Sequence, residues 1–196
     1  MVHDSLKKVK RIILSVGHDP RAVGAQNNRG EKENTLAANI TNRAAAYLRA
    51  NGLVVWLMPD YTLADTIKYL NIQGNTFTDL AIEVHKDSCG ALYNETNMRR
   101  RCGLYFAAES AGTGSIARAM VAVFTKEGAH PTSWVRPDTD SNHGRLGFCA
   151  KTKMIAMIAE LGFIEGNNAP DENDWYAWAL AKSILTILEM PIKPIL

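Results

Sequence analysis

Apolar residues are concentrated in five short runs that are typical of buried strands. The runs are Ile12–Val16, Leu53–Met58, Asp79–Val84, Gly103–Ala107 and Met154–Ala159. Between and after them, apolar residues recur at the three- and four-residue spacing of an amphipathic helix. The pattern therefore predicts strands that alternate with helices along most of the chain.

The first two helical segments carry recognisable end signals. The first has an apolar face, and Asn51-Gly52 ends it, with glycine suited to the left-handed position after the last turn. The second spans Leu63–Leu70, where Thr62 followed by Asp65 resembles a capping box. The apolar face of the first helix consists of Leu36, Ile40, Ala44, Tyr47 and Leu48.

Two further helices are predicted over Ser110–Glu127 and Glu172–Glu189. The inward face expected for the earlier of these consists of Ile116, Met120, Val123 and Phe124. The inward face expected for the later one consists of Trp175, Trp178, Ala181, Leu185 and Leu188.

This alternation indicates an α/β fold: a three-layer sandwich with a central, mostly parallel twisted sheet of five to six strands and helices on both faces. We find no repeat or linker, so one domain is expected to fill residues 1–196, with its core at 11–189. The least regular segments are 17–33, 86–102 and 128–146. Ligands of open α/β sheets bind at loops that leave the carboxyl ends of strands, which directs attention to the first two segments.

The net charge and the cysteines of the chain indicate which partners it binds and whether its compartment is reducing. The net charge of +2 provides no strong basic field, which argues against nucleic acid as a partner. One dense basic run, Arg99-Arg100-Arg101, is typical of a solvated loop and also suits a polyanionic polymer. The cysteines, Cys89, Cys102 and Cys149, form no C-x-x-C pair, so they predict a reducing compartment rather than a disulfide framework.

The distribution of apolar residues also bears on localisation. No apolar run is long enough for stable membrane insertion. The basic N-terminus is followed only by Ile12–Val16, which is shorter than the apolar region of a signal peptide. We therefore expect synthesis in the cytoplasm without an export signal.

Four polar residues lie where this architecture places a site. His18 follows the first predicted strand, His85 ends the third, Glu160 ends the fifth, and Glu33 begins the first long helix. Two imidazoles and a carboxylate bind Zn²⁺ with one position left for water, and a further carboxylate then serves as proton acceptor.

Each of these residues has a structural interpretation as well. Histidines at strand ends are often structural hydrogen-bonding groups, and Glu33 would complement a helix dipole. Glu160 would then be a surface carboxylate at a strand end. The H-E-x-x-H and H-x-x-E-H motifs are absent, so spacing alone leaves both interpretations open.

Four sequence blocks nevertheless occur together and in order. They are Ile12–His18 with Gly24-Ala25, Gly30–Glu33 with Thr35-Leu36, Asp79–His85, and Glu160–Ile164. Over residues 11–189 this arrangement resembles the zinc-dependent N-acetylmuramoyl-L-alanine amidases of bacteria and their phages. Weaker matches to that family are Gly103-Leu104-Tyr105 and Arg145-Leu146-Gly147.

The resemblance implies roles for these residues. His18, Glu33 and His85 would hold one Zn²⁺ per chain, with Glu31 as a rival for the position of Glu33. Glu160 would be the catalytic carboxylate. The implied reaction is hydrolysis of the amide bond between N-acetylmuramic acid and L-alanine in bacterial peptidoglycan.

The chain also departs from the family pattern near the expected cleft. Asp19-Pro20 follow the first histidine where many members have glycines, and Asp87 stands where many have asparagine. After Phe163 the usual asparagine comes one residue late, as Asn167 or Asn168. Asp19 or Asp87 would orient a histidine. The residues expected to contact substrate are Asp87, His143, Arg145 and Asn167, with a plain loop residue as the alternative for His143.

The biological role is also an expectation. No cell-wall-binding module is expected beside the catalytic domain, which together with the missing export signal predicts a monomeric phage or prophage endolysin. Such a protein collects in the host cytoplasm and acts on the cell wall. Two alternatives remain: another zinc peptidase or deacetylase acting on wall fragments, and a non-catalytic peptidoglycan-binding module.

Overall fold

The computed structural model of the chain describes residues 6–193. Its strands form one six-stranded sheet in the order β2-β1-β3-β6-β4-β5. All neighbouring strands are parallel except β4, which runs antiparallel to β6. The strands are β1 (Arg11–Val16), β2 (Val54–Leu57), β3 (Asp79–Asp87), β4 (Cys102–Phe106), β5 (Trp134–Pro137) and β6 (Ile155–Phe163).

Helices cover both faces of this sheet, which confirms the predicted sandwich. They are α1 (Glu33–Ala50), α2 (Leu63–Gln73), α3 (Glu95–Met98), α4 (Ala111–Lys126), α5 (Gly147–Lys151) and α6 (Pro170–Ile187). The predicted C-terminal end of α1 and the predicted N-terminal cap of α2 are also confirmed, whereas α2 runs three residues beyond its predicted end at Leu70. Gly52 has a left-handed φ of 91° after α1, and the Thr62 hydroxyl accepts a hydrogen bond from the Asp65 amide at 3.2 Å.

The two faces are covered unequally. Ile12 and Leu14 of β1 pack into a large core with α1, α4 and α6, whereas Ile13 packs into a smaller one with α2 and α5. This division follows from the alternation of side chains along a strand. Because α2 and α5 are short, they leave the carboxyl end of their face open. Ala81 lies on that face, so Glu83 and His85, two and four residues later, face the same opening.

Three features differ from the pattern-based expectations. The segment 128–146, expected to be irregular, contains the edge strand β5, which is too short for its alternation to stand out. The short helix α5 was also missed, and β3 and β6 run three and four residues beyond the apolar runs that predict them, which end at Val84 and Ala159.

The buried face of α6 is broader than expected. The predicted inward residues Trp175, Trp178 and Leu188 are only partly buried. The buried residues of α6 form a wider stripe along the helix. The reason is that α6 lies between α1 and α4 on the sheet, so most of its circumference is covered. That stripe includes Tyr176, Ala177, Leu180, Ala181, Ile184 and Leu185.

No helix within residues 6–193 combines the length and apolar character needed to cross a bilayer.

Candidate active site

Two histidines and a glutamate meet at the open edge of the sheet. One ligand atom from each of His18, Glu33 and His85 lies within 4.8 Å of the other two. The Glu33 carboxylate stands between the rings, with Oε2 3.3 Å from His18 Nε2 and Oε1 2.9 Å from His85 Nδ1. Burial by itself would raise the pKa of Glu33, but the hydrogen bonds to His18 and His85 outweigh it and lower the pKa to about 2. This donor set has the composition of a catalytic zinc site.

Strand order explains why these residues meet. β1, β3 and β6 are adjacent and parallel, so their carboxyl ends lie at one edge. His18 follows β1 with a left-handed φ of 65°, which turns the chain out of the sheet. Glu33 is the first residue of α1, and its carboxylate accepts a hydrogen bond from the Ala25 amide at 3.0 Å. That bond ties the loop between β1 and α1 back to the cluster.

Two glycines make room for the cluster. A Cβ at Gly17 would overlap the His85 ring, and a Cβ at Gly24 would overlap both the Glu33 carboxylate and the His18 ring. Gly24 also has a φ of 75°, which an L side chain rarely adopts. The close approach of the three ligand side chains therefore depends on these small residues.

The pairing register extends the site across the sheet. His85 pairs with Glu160, and Glu160 pairs with Gly103, which in turn pairs with Trp134. Paired residues point to the same face of a sheet. Since Gly103 has no side chain, the Trp134 ring lies over it, where a Cβ would overlap the indole. This row brings an aromatic wall beside Glu160.

Glu160 has a buried oxygen without a partner. Among residues 6–193 its Oε2 atom makes no hydrogen bond. Burial raises the pKa of the Glu160 carboxyl to about 8, against the opposing effect of His85. Buried polar atoms in folded proteins are almost always paired, so an orphaned carboxylate oxygen beside a metal-type cluster marks a place for water or substrate. The residues present thus fit a zinc ion.

Comparison with known proteins agrees with this geometry. The sequence profile of the N-acetylmuramoyl-L-alanine amidases matches residues 12–188. The chain belongs to the N-acetylmuramoyl-L-alanine amidase family. A search of curated proteins finds no match.

Solved structures show the same fold as this amidase family member. Amidase AmiC2 of Nostoc punctiforme has a TM-score of 0.72 and 18% identity, with 93% of this chain and 98% of that one covered. The catalytic domain of the amidase CwlV from Bacillus (Paenibacillus) polymyxa var. colistinus has a TM-score of 0.73 and 17% identity, with 93% and 100% covered. The amidase Ami1 of Mycobacterium smegmatis has a TM-score of 0.73 and 15% identity, with 93% and 98% covered.

In this amidase family member, Glu31 is held away from the histidines. Its Oε2 atom accepts hydrogen bonds from Asn27 at 2.7 Å, Arg29 at 2.9 Å and Asn168 at 3.0 Å. These contacts tie the loop before α1 to the segment after β6. The structure therefore brings Glu33 rather than Glu31 to the cluster.

Sequence reasoning missed Glu83. This residue is 6% exposed, and its Oε1 atom lies 3.0 Å from His85 Nε2. Although burial opposes it, Glu33 and Glu83 together hold the pKa of His85 well above its ordinary value. The available signal was the two-residue spacing, which places Glu83 and His85 on one face of β3.

The cleft around the cluster has a volume of about 700 Å³ and includes some of the predicted substrate residues. Asp87 and His143 line it. Burial raises the pKa of Asp87, whose Oδ1 atom accepts a hydrogen bond from the Ser88 amide at 2.8 Å. Asp19 instead accepts a hydrogen bond from the Arg21 amide at 2.7 Å and stabilises a turn.

Arg145 and Asn167 lie outside the lining of this cleft. Arg145 forms ion pairs with Glu109 and with the buried Asp138. Asn167 accepts a hydrogen bond from the Ala169 amide at 2.9 Å, just before α6. Substrate contact by Arg145 and Asn167 stays a prediction.

Proposed function

We propose that the chain is a zinc-dependent amidase that hydrolyses the bond between N-acetylmuramic acid and L-alanine in peptidoglycan. Family membership supports the reaction class. The observation that carries the zinc proposal is the His18, Glu33 and His85 cluster, beside which one Glu160 oxygen has no hydrogen-bond partner within residues 6–193. The cleft is large enough for a sugar and part of a peptide.

In this mechanism each residue has a separate task. His18, Glu33 and His85 would hold the ion, which supplies Lewis acidity to a water and to the scissile carbonyl. Glu160 Oε2 accepts a proton from the attacking water while the oxygen of that water bonds to the lactyl carbonyl carbon. The carbon–nitrogen bond then breaks, and Glu160 delivers the proton to the leaving nitrogen of L-alanine. A cation held at the cluster would lower the pKa of Glu160 and so favour the ionised form that accepts the proton.

Glu83 is expected to position His85. A carboxylate 3.0 Å from Nε2 fixes the ring so that Nδ1 faces Glu33 and the ligand cluster. Such partners of a ligating histidine typically affect metal affinity by about 10–100-fold when removed. We therefore expect Glu83→Gln to weaken zinc binding within this range, as measured by competition with a chromophoric chelator at fixed pH. Glu189→Gln, at an exposed position, is the control, and equal affinities in the two variants would contradict the role.

The proposed reaction has a direct test. Purified cell walls are incubated with the protein, with a chelator, and with zinc added back, while turbidity is recorded. Clearing that stops with chelator and returns with zinc is the expected result. Mass analysis should then find stem peptides with a free L-alanine amino group. Release of products cut inside the stem, or deacetylated sugars, would instead favour another zinc hydrolase.

The endolysin role is part of the same proposal and stays a prediction. In that role the amidase would collect in the host cytoplasm and act on the wall once the membrane is breached.

A further inference from the structure

The basic run Arg99-Arg100-Arg101 is divided between two sides of the sheet. Both oxygens of Glu172, which is 2% exposed, accept hydrogen bonds from Arg100 at 2.8 Å. Arg99 lies 3.7 Å from the same carboxylate. Arg101 follows Arg100, whose left-handed φ of 52° turns the chain, and lines the cleft. Two arginines of the run therefore interact with a buried carboxylate, and the third faces the candidate active site.

A second arginine lines the same cleft. Arg136 of β5 pairs with Tyr105, and its guanidinium lies 4.8 Å from the centre of the Trp134 ring. Residues paired across neighbouring strands form a row that runs perpendicular to the strands. Trp134 lies in the row that contains Glu160, and Arg136 lies in the next row along the strands. Arg101 precedes Gly103 by two residues, so it borders the Trp134 row from the opposite side. Two cations thus flank one indole ring.

Neither cation forms an ion pair within residues 6–193, although Arg101 opposes the rise in the pKa of Asp87 in the same cleft. In the part of the chain that the structure describes, no carboxylate oxygen lies within the 4.0 Å ion-pair distance of Arg101 or Arg136. Arg101 donates one long hydrogen bond, to the Thr132 carbonyl at 3.4 Å. By contrast, Arg99, Arg100 and Arg145 each have an acidic partner. Cations that line a cleft without an acidic partner are suited to an anionic ligand.

We propose that Arg101, Trp134 and Arg136, here called the basic wall, bind free carboxylates of the stem peptide. The inference rests on the proposed function, because that reaction places the stem beside Glu160. One row along a strand corresponds to about 7 Å, and an extended peptide advances about 3.5 Å per residue. A carboxylate two residues from the scissile bond is therefore displaced from Glu160 by about the distance between its row and the neighbouring row, which contains Arg136. The substrate class is an acidic peptide, with a free carboxylate on the residue after L-alanine as the recognised group.

Two synthetic substrates separate this role from the reaction itself. Both are N-acetylmuramoyl peptides that begin with L-alanine, and they differ only in a free carboxylate or a carboxamide at the second residue. kcat and KM are measured for the zinc-loaded wild type and for Arg101→Gln and Arg136→Gln. Arg118→Gln removes an exposed arginine on α4 and is the matched charge control.

The wild type and the control are expected to prefer the carboxylate substrate. Each basic-wall variant should raise KM for that substrate by roughly tenfold, the effect of one charge-assisted hydrogen bond. Cleavage of the carboxamide should be unchanged, which shows that the zinc site and fold are intact. Equal cleavage of both substrates by the wild type would overturn the proposed role of the basic wall. The same conclusion would follow if the variants lost activity equally on both substrates.

A failure of the proposed reaction gives a different result. If the wild type cleaves neither substrate, binding of the uncleaved acidic stem peptide is measured by calorimetry. Binding that weakens in Arg136→Gln but not in Arg118→Gln supports the basic wall even then. Binding that is absent, or that is the same in all proteins, overturns it.

Discussion

Replacement of His18 by asparagine is expected to abolish zinc binding and amidase turnover while the fold stays intact. His18 is the most exposed ligand, with 36% of its side chain accessible, and its contact in the cluster is with Glu33. The Glu33–His85 pair therefore survives the change. Asparagine also tolerates the left-handed backbone at this position, where φ is 65°. The variant thus removes a ligand without introducing strain or an unpaired buried charge.

Thermal unfolding with zinc or with chelator measures this effect. Free zinc at 100 times its Kd stabilises a protein by about 2.7 kcal/mol. For a chain of this size, that corresponds to a rise in Tm of roughly 5–10 °C. We expect this rise in the wild type and in His130→Asn, a histidine that bonds Thr132 and does not line the cleft. His18→Asn should show no rise, and stoichiometric zinc in that variant would refute the ligand assignment.

Replacement of Glu160 by glutamine is expected to separate chemistry from metal binding. The change is isosteric and removes only the proton-accepting oxygen, which makes no hydrogen bond within residues 6–193. General acid–base catalysis typically contributes about 10²–10⁴-fold, so kcat should fall by that factor. Zinc content should remain at one per chain because His18, Glu33 and His85 are unchanged.

Two readouts decide the role of Glu160. Metal analysis and single-turnover cleavage of a muramoyl peptide are compared between Glu160→Gln and Glu189→Gln, the latter at an exposed surface position. Loss of zinc along with activity would make Glu160 a ligand or a structural residue instead. Turnover at the wild-type rate would remove it from the mechanism.

Much of the scaffold was predictable because it depends on local patterns. The apolar runs that became β1 and β3 are continuous, as expected for strands buried on both faces. β5 was not predictable in this way, since an edge strand of four residues has little hydrophobic signal. Its position matters for function because Trp134 and Arg136 both line the cleft.

The candidate ligands were likewise identifiable, as histidines at strand ends and a glutamate at the start of a helix. The choice between Glu31 and Glu33 required the structure, because both lie in one loop and only their hydrogen-bond partners differ. The contact between Glu83 and His85 also required it, since two-residue spacing shows a shared face but not a shared hydrogen bond.

The sequence by itself therefore determined the fold class and the approximate positions of most elements, and its resemblance to the amidases implied His18, His85 and Glu160 as site residues. These properties follow from periodicity and from short blocks in which each residue depends on its near neighbours. Tertiary structure alone decided that Trp134 lies over Gly103 beside Glu160, and that Arg101 faces the cleft while Arg100 pairs with Glu172. The physical reason is that these contacts depend on strand order and register, which join residues far apart along the chain.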